Sequence, residues 1–529
     1  MRKKWKIGLV CLGMAVVMAG CGQKAEETTA AVETEIIRET EIAKETEAAE
    51  KPSAVMEGAV MIELSDDGIT VDGEAISDNT EDAVYAANDI IYYEEGKDFT
   101  YGEGTEEDEH SKEEADAHTV VHITKPGTYA VSGVLSAGQI AVDLGEDAEE
   151  DPEAIVTLVL NGADITNTVA PAIVVYNVYE CGPTDEESAT KDVDTTNAGM
   201  NLVIADGTEN HINGSYVAKI YKSVELNEDG TKVVDSKKLH KYDGAIQAKM
   251  SMNVTGGEEG TGFLNIHAEN EGLGSEYHLT INGGNINITA GNDGINTSED
   301  YVSVTTINDG TVKIRVDGAT GEGDGIDSNG WLVINGGTVI TEACAFSMDA
   351  GIDSDKGIHI NGGTVIATGN MLDHISESEQ NYAVYTFAEK QKAGAVYTLK
   401  DAEGNEVASC TPENAFSYLI MSTDDMADGE YTLWMNETQL AGAEGEGGGF
   451  GGFGFGGGMP GGMTPPEMPK DFDPANMPKG EGGQGPQGGG RPGGGRGGRG
   501  DRGEMKAAEV SEIFMIKEGG SYFGQVREK

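Results

Sequence analysis

The chain has 529 residues, 93 acidic against 35 basic, and a formal charge of −58. A polyanion of that size is repelled by nucleic acid and by anionic membrane surfaces, since phosphate binding needs clustered Lys and Arg. It suits cation binding or simple solubility, and 77 glycines with three tryptophans point to turn-rich β structure plus flexible segments.

Residues 1–21 read as a processing segment and not as part of the fold. Arg2, Lys3, Lys4 and Lys6 form a positive region, residues 7–17 an apolar one, and Met18, Ala19 and Gly20 precede Cys21. This resembles the bacterial lipoprotein signal, in which the cysteine after the cut receives lipid, although Met18 stands where that pattern prefers Leu. An ordinary secretory signal with an incidental cysteine is the alternative. The expectation is a lipid anchor at Cys21 on the extracytoplasmic face of the cell membrane. No other run is apolar enough to span a bilayer. The remaining Cys181, Cys344 and Cys410 form neither a metal motif nor a disulfide framework. Residues 22–53, rich in Glu, Thr and Ala, read as a disordered spacer.

Residues 54–155 read as an N-terminal cap and first coil, with strands at 118–125 and 127–135 joined by a Pro126-Gly127 turn. The organising repeat lies in residues 156–392. LTINGGNINI, TTINDGTVKI, LVINGGTVIT and IHINGGTVIA centre on Asn282, Asn308, Asn335 and Asn361, spaced 26, 27 and 26 residues apart. Ile281, Ile307, Ile334 and Ile360 precede the asparagines; Ile286, Val312, Val339 and Val365 follow four residues later. Polar or small residues between them give the alternation of half-buried strands, and the intervening glycines turn the chain. A period in the twenties with β-branched columns predicts an all-β fold, a parallel β-helix in which like residues stack. Charged segments inserted between 177 and 201 and at 221–241 read as loops, either bordering a binding face or tolerated on the surface. Residues 393–441 read as a small C-terminal β cap, 442–509 as a disordered Gly/Pro/Met-rich segment, and 510–529 as a terminal strand returning to the cap.

A second phrase runs in phase: DGAIQ at Asp243, EGLGS at Glu271, DGINT at Asp293, DGIDS at Asp324 and AGIDS at Ala350. Its first position supplies Asp243, Glu271, Asp293 and Asp324, and its fourth supplies Asn296, Asp327 and Asp353, with Asp349 and Asp355 nearby. Neighbouring coils lie about 4.8 Å apart, so stacked carboxylates repel unless a cation sits between them. Hard oxygens in an irregular arrangement suit Ca2+, and without paired His or Cys the set does not suit zinc. The competing reading is that these Asp and Asn side chains satisfy backbone amides at turns. Trp331 and Tyr301 are candidates to stack on sugar rings, with a turn-edge aromatic stack as the alternative.

The INGGTV and DGID phrases, LVIADGTEN upstream, residues 395–408 and the Gly/Met-rich tail together resemble the bacterial carbohydrate-binding domain-containing lipoprotein family. That family is similar to the acid-sugar-binding β-helix protein of cellulolytic clostridia. The resemblance implies a right-handed parallel β-helix that binds Ca2+ and an acidic polysaccharide such as polygalacturonate. The expected protein is a monomeric, non-catalytic surface binder that meets the membrane only through its lipid and does not meet nucleic acid. A pectate-lyase-like enzyme is a second reading. It needs a Lys or Arg base on the metal's face, with Lys249, Lys313, Arg315 and Lys356 as candidates. Alternation turns Lys313 and Arg315 outward, where they would meet a ligand or only solvent. A structural or adhesive protein with a non-sugar ligand is a third.

Overall fold

Alternating apolar and polar residues give each strand an inner and an outer side, and each repeat does this three times. In the computed structural model, which describes residues 56–445 and 510–528, the repeats up to Ser328 supply one strand to each of three parallel ladders, and the last two supply strands to the first two only. The first ladder stacks Met200–Ile204, Met252–Gly256, His278–Ile281, Val304–Ile307, Trp331–Ile334 and Gly357–Ile360. The second stacks Glu209–Gly214, Phe263–Ala268, Asn285–Ala290, Thr311–Val316, Thr338–Glu342 and Thr364–Gly369. The third runs through Thr119–Ile123, Gly138–Val142, Ile173–Val175, Gly244–Ala248, Glu271–Ser275, Ile295–Thr297 and Ile326–Ser328. Val156–Thr166 serves the first two ladders at once, turning at Gly162 with φ 81°. The chain is all-β; the helical elements described are the five-residue Lys112–Asp116 and the 3-10 turn Glu146–Glu150.

The inner columns form one continuous core. Ile281, Ile307, Ile334 and Ile360 on the first ladder, and Ile286, Val312, Val339 and Val365 on the second, are 0 % exposed. Leu273, Ile295 and Ile326 of the third ladder pack against them. Each such side chain contributes about 1.5–3 kcal/mol on burial. The glycine of the DGI phrase closes the packing. A Cβ at Gly294 would lie 2.1 Å from Ile314 Cγ2 and 2.6 Å from the Gly325 carbonyl oxygen, so any side chain there would push two coils apart. Gly310, after the phrase asparagine, is needed for a different reason: its φ of 95° is left-handed.

One expectation needs correction, the loop at 221–241. The two strands joined at Pro126-Gly127 are present, and they do not pair with each other. Thr119–Ile123 lies in the third ladder, while Gly127–Leu135 pairs with Val60–Leu64 and Val156–Thr166, so the Pro-Gly corner carries the chain between ladders. The 221–241 insertion is a hairpin, Val217–Leu226 against Val233–Tyr242, whose alternating charges disguised a two-stranded cover. Its base packs Val217, Ile220 and Tyr242 onto Val120, Ala141 and Val174, on the outer side of the third ladder.

At the far end Phe416–Ser422 pairs antiparallel with Thr364–Gly369 and with Tyr382–Gln391, and Gly520–Glu528 lies parallel to the latter. A second core of Tyr385, Tyr397, Phe416, Phe514 and Phe523 fills this region. The signal segment with Cys21, the 22–53 spacer and residues 446–509 of the Gly-rich stretch lie outside the described residues.

Candidate functional site

Register decides which acids share a column. On the third ladder Ile246, Leu273, Ile295 and Ile326 stack in line, with Ile352 bridged to Ile326. Two places before them stand Gly244, Glu271, Asp293, Asp324 and Ala350; one place after stand Gln247, Gly274, Asn296, Asp327 and Asp353. Asp243 is therefore one residue out of the first column, because Ala245 lengthens its phrase. Its carboxylate pairs with Lys241 at 2.8 Å.

Backbone amides hold part of the first column. Asp293 accepts the Asp324 N–H at 2.7 Å, and Asp324 accepts the Ala350 N–H at 2.5 Å. Where Ala350 ends the column, Asp349 reaches one place aside to accept the Gly323 N–H at 2.6 Å and the Ser347 hydroxyl. Glu271 is 6 % exposed and accepts a hydrogen bond from Asn296 Nδ2 at 2.9 Å. The other end of that amide has no such partner: Asn296, 9 % exposed, buries its Oδ1 without a hydrogen bond.

Burial and mutual repulsion raise Glu271, Asp293, Asp324, Asp327, Asp353 and Asp355 above the ordinary carboxyl range. Desolvation first, then Asp243 and Asp293, raises Glu271. Desolvation pushes Asp293 up to about 7, aided by Asp349, Glu322 and Asp243. Asp324 rises to about 10 through desolvation, Asp293 and Asp353. Asp327 is pushed up to about 7 by desolvation and then by Asp293, Asp355 and Asp373, and Asp353 to about 7 by desolvation and then by Asp373, Asp327 and Asp355. Asp355 is raised by desolvation and then by Asp300 and Asp373. Asp373 was not among the acids picked from sequence: it follows the last repeat, where the period has faded, and accepts the Ser354 N–H at 3.1 Å.

The donors are carboxylates and an amide oxygen, which fits a hard cation such as Ca2+ and not a thiolate- or imidazole-seeking metal. They are laid out as a row at strand spacing. Among the described residues no three His, Cys, Asp or Glu side chains already converge as a closed metal cage.

The sugar-facing candidates divide. The Lys356 ammonium sits 4.6 Å from the Trp331 ring centre and 5.8 Å from that of Tyr301, which brings the two aromatics to one corner. Tyr301 holds a left-handed φ of 61°, its N–H bonded to the Asn329 carbonyl at 2.6 Å, while Asn329 Nδ2 bonds Asp300 at 2.7 Å. Lys313 and Arg315 stand elsewhere, on the second ladder. Lys313 is exposed, and Arg315 pairs with Glu413 of the C-terminal region at 3.5 Å.

The repeat phrase also builds a surface that sequence reasoning treated only as turns. Asn282, Asn308, Asn335 and Asn361 form a side-chain amide ladder, each Nδ2 donating to the preceding Oδ1 at 2.8, 2.9 and 2.9 Å. Their unbroken spacing was the available signal. A groove of about 410 Å³ on one side and one of about 740 Å³ on the other run beside this ladder.

Residues 117–409 match the model of the carbohydrate-binding domain-containing protein family. A carbohydrate-binding domain-containing protein of Acetivibrio thermocellus is 31% identical over 171 residues, covering 32% of this chain and 45% of the relative. The match thus spans less than half the length of that relative. A polysaccharide lyase-like protein from C. thermocellum, solved as a gadolinium derivative, aligns with 61% of this chain and 92% of its own at 21% identity, with a TM-score of 0.32.

Proposed function

The chain belongs to the carbohydrate-binding domain-containing protein family, and from that membership we propose that it binds an acidic, polygalacturonate-like polysaccharide through Ca2+ held on the third ladder. The coils are read as a right-handed parallel β-helix, carried as a monomer on a lipid at Cys21 at the extracytoplasmic face of the membrane.

One observation carries the reading. The Asn296 Oδ1 is buried and unpaired beside Asp327 of its own column and next to the Glu271 and Asp293 carboxyls of the neighbouring one. An unsatisfied buried acceptor costs about 1–3 kcal/mol, and a hard dication relieves that cost and the carboxylate repulsion together. Glu271, Asp293, Asn296 and Asp327 would hold one ion, and Asp353, Asp355 and Asp373 another. Bound Ca2+ would supply an electrostatic bridge, with coordination places left for sugar carboxylates. The chain's own contribution is to hold these oxygens in a fixed row at strand spacing, so that an acidic polymer meets evenly placed charge. Trp331 and Tyr301 stand at the adjoining corner, where a ring face would contact a sugar.

Calorimetric titration with polygalacturonate tests this. Binding is expected in Ca2+, lost on chelation, and weakened roughly tenfold or more in Asn296→Ala. No binding in either condition overturns the reading.

A further inference from the structure

We propose that the asparagine ladder is the floor of a second, metal-independent site for an uncharged polysaccharide chain. The proposal rests on the carbohydrate-binding reading but not on Ca2+.

The middle amides, Asn308 and Asn335, each use one N–H and one oxygen lone pair on their ladder neighbours and keep a second N–H and lone pair to face outward, while Asn282 only accepts within the ladder and Asn361 donates to Asn335 and accepts the Glu379 N–H at 3.4 Å. The 410 Å³ groove lies between this ladder, the outward Thr280, Thr306 and Val333 of the first ladder, and the inserted segment at 191–196. That segment is a fixed wall. Asn253 Nδ2 donates to the Thr195 carbonyl at 2.7 Å, and the Thr195 hydroxyl donates to that of Thr280 at 2.7 Å. Its root is anchored as well: Glu180 accepts the Ser251 N–H at 2.7 Å and the Ser251 hydroxyl at 2.6 Å, while His278 Nε2 bonds the Pro183 carbonyl at 3.0 Å. The 740 Å³ groove runs over the Gly-Gly turns on the other side, and both grooves reach Asn282 and Asn335.

The lining selects the occupant. Lys191 stands against six carboxylates, Asp309 and Asp424 among them, so a bare polyuronate is repelled. Among the described residues no aromatic ring lines either groove, which leaves hydrogen bonding in place of a stacking platform. Amides, threonine hydroxyls and bare glycine peptides offer donor and acceptor side by side, as a sugar hydroxyl requires. They recur about every 4.8 Å along the stack, close to the advance per residue of an extended β-linked pyranose chain. A peptide has no reason to repeat its contacts at that interval; a homopolymer laid along the stack does.

The test uses the full chain, chelator, and β-1,4-linked gluco- and xylo-oligosaccharides in calorimetry. Wild type is expected to bind. Asn308→Ala with Asn335→Ala should weaken binding at least tenfold, and so should Thr306→Tyr, which fills the groove and leaves all four asparagines in the chain. Thermal unfolding reports whether the asparagine variant still folds; if it does not, Thr306→Tyr decides. Failure of wild type to bind either oligosaccharide, or unchanged affinity in Thr306→Tyr, overturns the proposal. Ca2+-dependent polygalacturonate binding should be unchanged in Thr306→Tyr, so loss of that binding in wild type strikes the metal reading alone.

Discussion

The third ladder carries one outward column with two characters. From His122 through Ala141 to Val174 it is a covered surface. His122 stacks on Tyr85 at 4.5 Å, and Ala141 and Val174 lie under Val217, Ile220 and Tyr242. From Asn296 through Asp327 to Asp353 the same register position turns polar and acidic. The backbone pairing is parallel and in line throughout, so the ladder does not need either kind of outer residue. The difference teaches that the inner columns hold the fold, while the outer column is free to be sealed by an insertion or charged for a ligand.

Exchanging the two characters should break the comparison most severely. Val174 is 1 % exposed, and Val174→Asp would bury a carboxylate under Tyr242 with no partner. A loss of about 3–5 kcal/mol is expected in urea unfolding. The mirror change, Asp327→Val, removes a repelled carboxyl and is expected to stabilise the metal-free chain at pH 8 by about 1 kcal/mol, with the response of stability to Ca2+ reduced. If both substitutions destabilise equally, the two halves do not differ as described.

A pH series sharpens the contrast at intermediate size. Asp293, Asp327 and Asp353 are raised from 3.8 to about 7, and Asp324 to about 10. The folded state thus holds protons that the unfolded chain has released. The stability linked to them is fully present below pH 4 and is lost as pH rises through 7 and on toward 10. In chelator, Tm should fall between pH 5 and 8 by a few degrees, as about 2 kcal/mol gives in a chain of this size. Added Ca2+ should restore more at pH 8 than at pH 5; a Tm that rises with pH in chelator contradicts the assignment. The smallest effect is expected at the neighbouring corner. Lys356→Met removes the ammonium over Trp331 and Tyr301 and should cost no more than about 0.5–1 kcal/mol in thermal unfolding.

Much of the inner architecture was legible from residues alone. Ile307 and Val312 flank Asn308 at offsets that recur in every copy, and only alternation was needed to turn them inward. The site was legible in part. Asp293, Asp324 and Asp327 were found by phase, but Asp243 was placed in the column although Ala245 shifts it by one residue. Asp373 was missed because no repeat remains to mark it. The cover over Val174 was also hidden, since a hairpin rich in Lys, Glu and Asp resembles a solvated loop until its apolar base meets Ala141.

By itself, then, the sequence determined the period, the strand character and the inward columns, because these follow from local alternation repeated at a fixed interval. Tertiary structure decided which acids face one another, which outward residues are sealed, and how the asparagines line a groove. Those outcomes depend on register between coils and on insertions that fold back across the ladders, and neither is a property of any local stretch of chain.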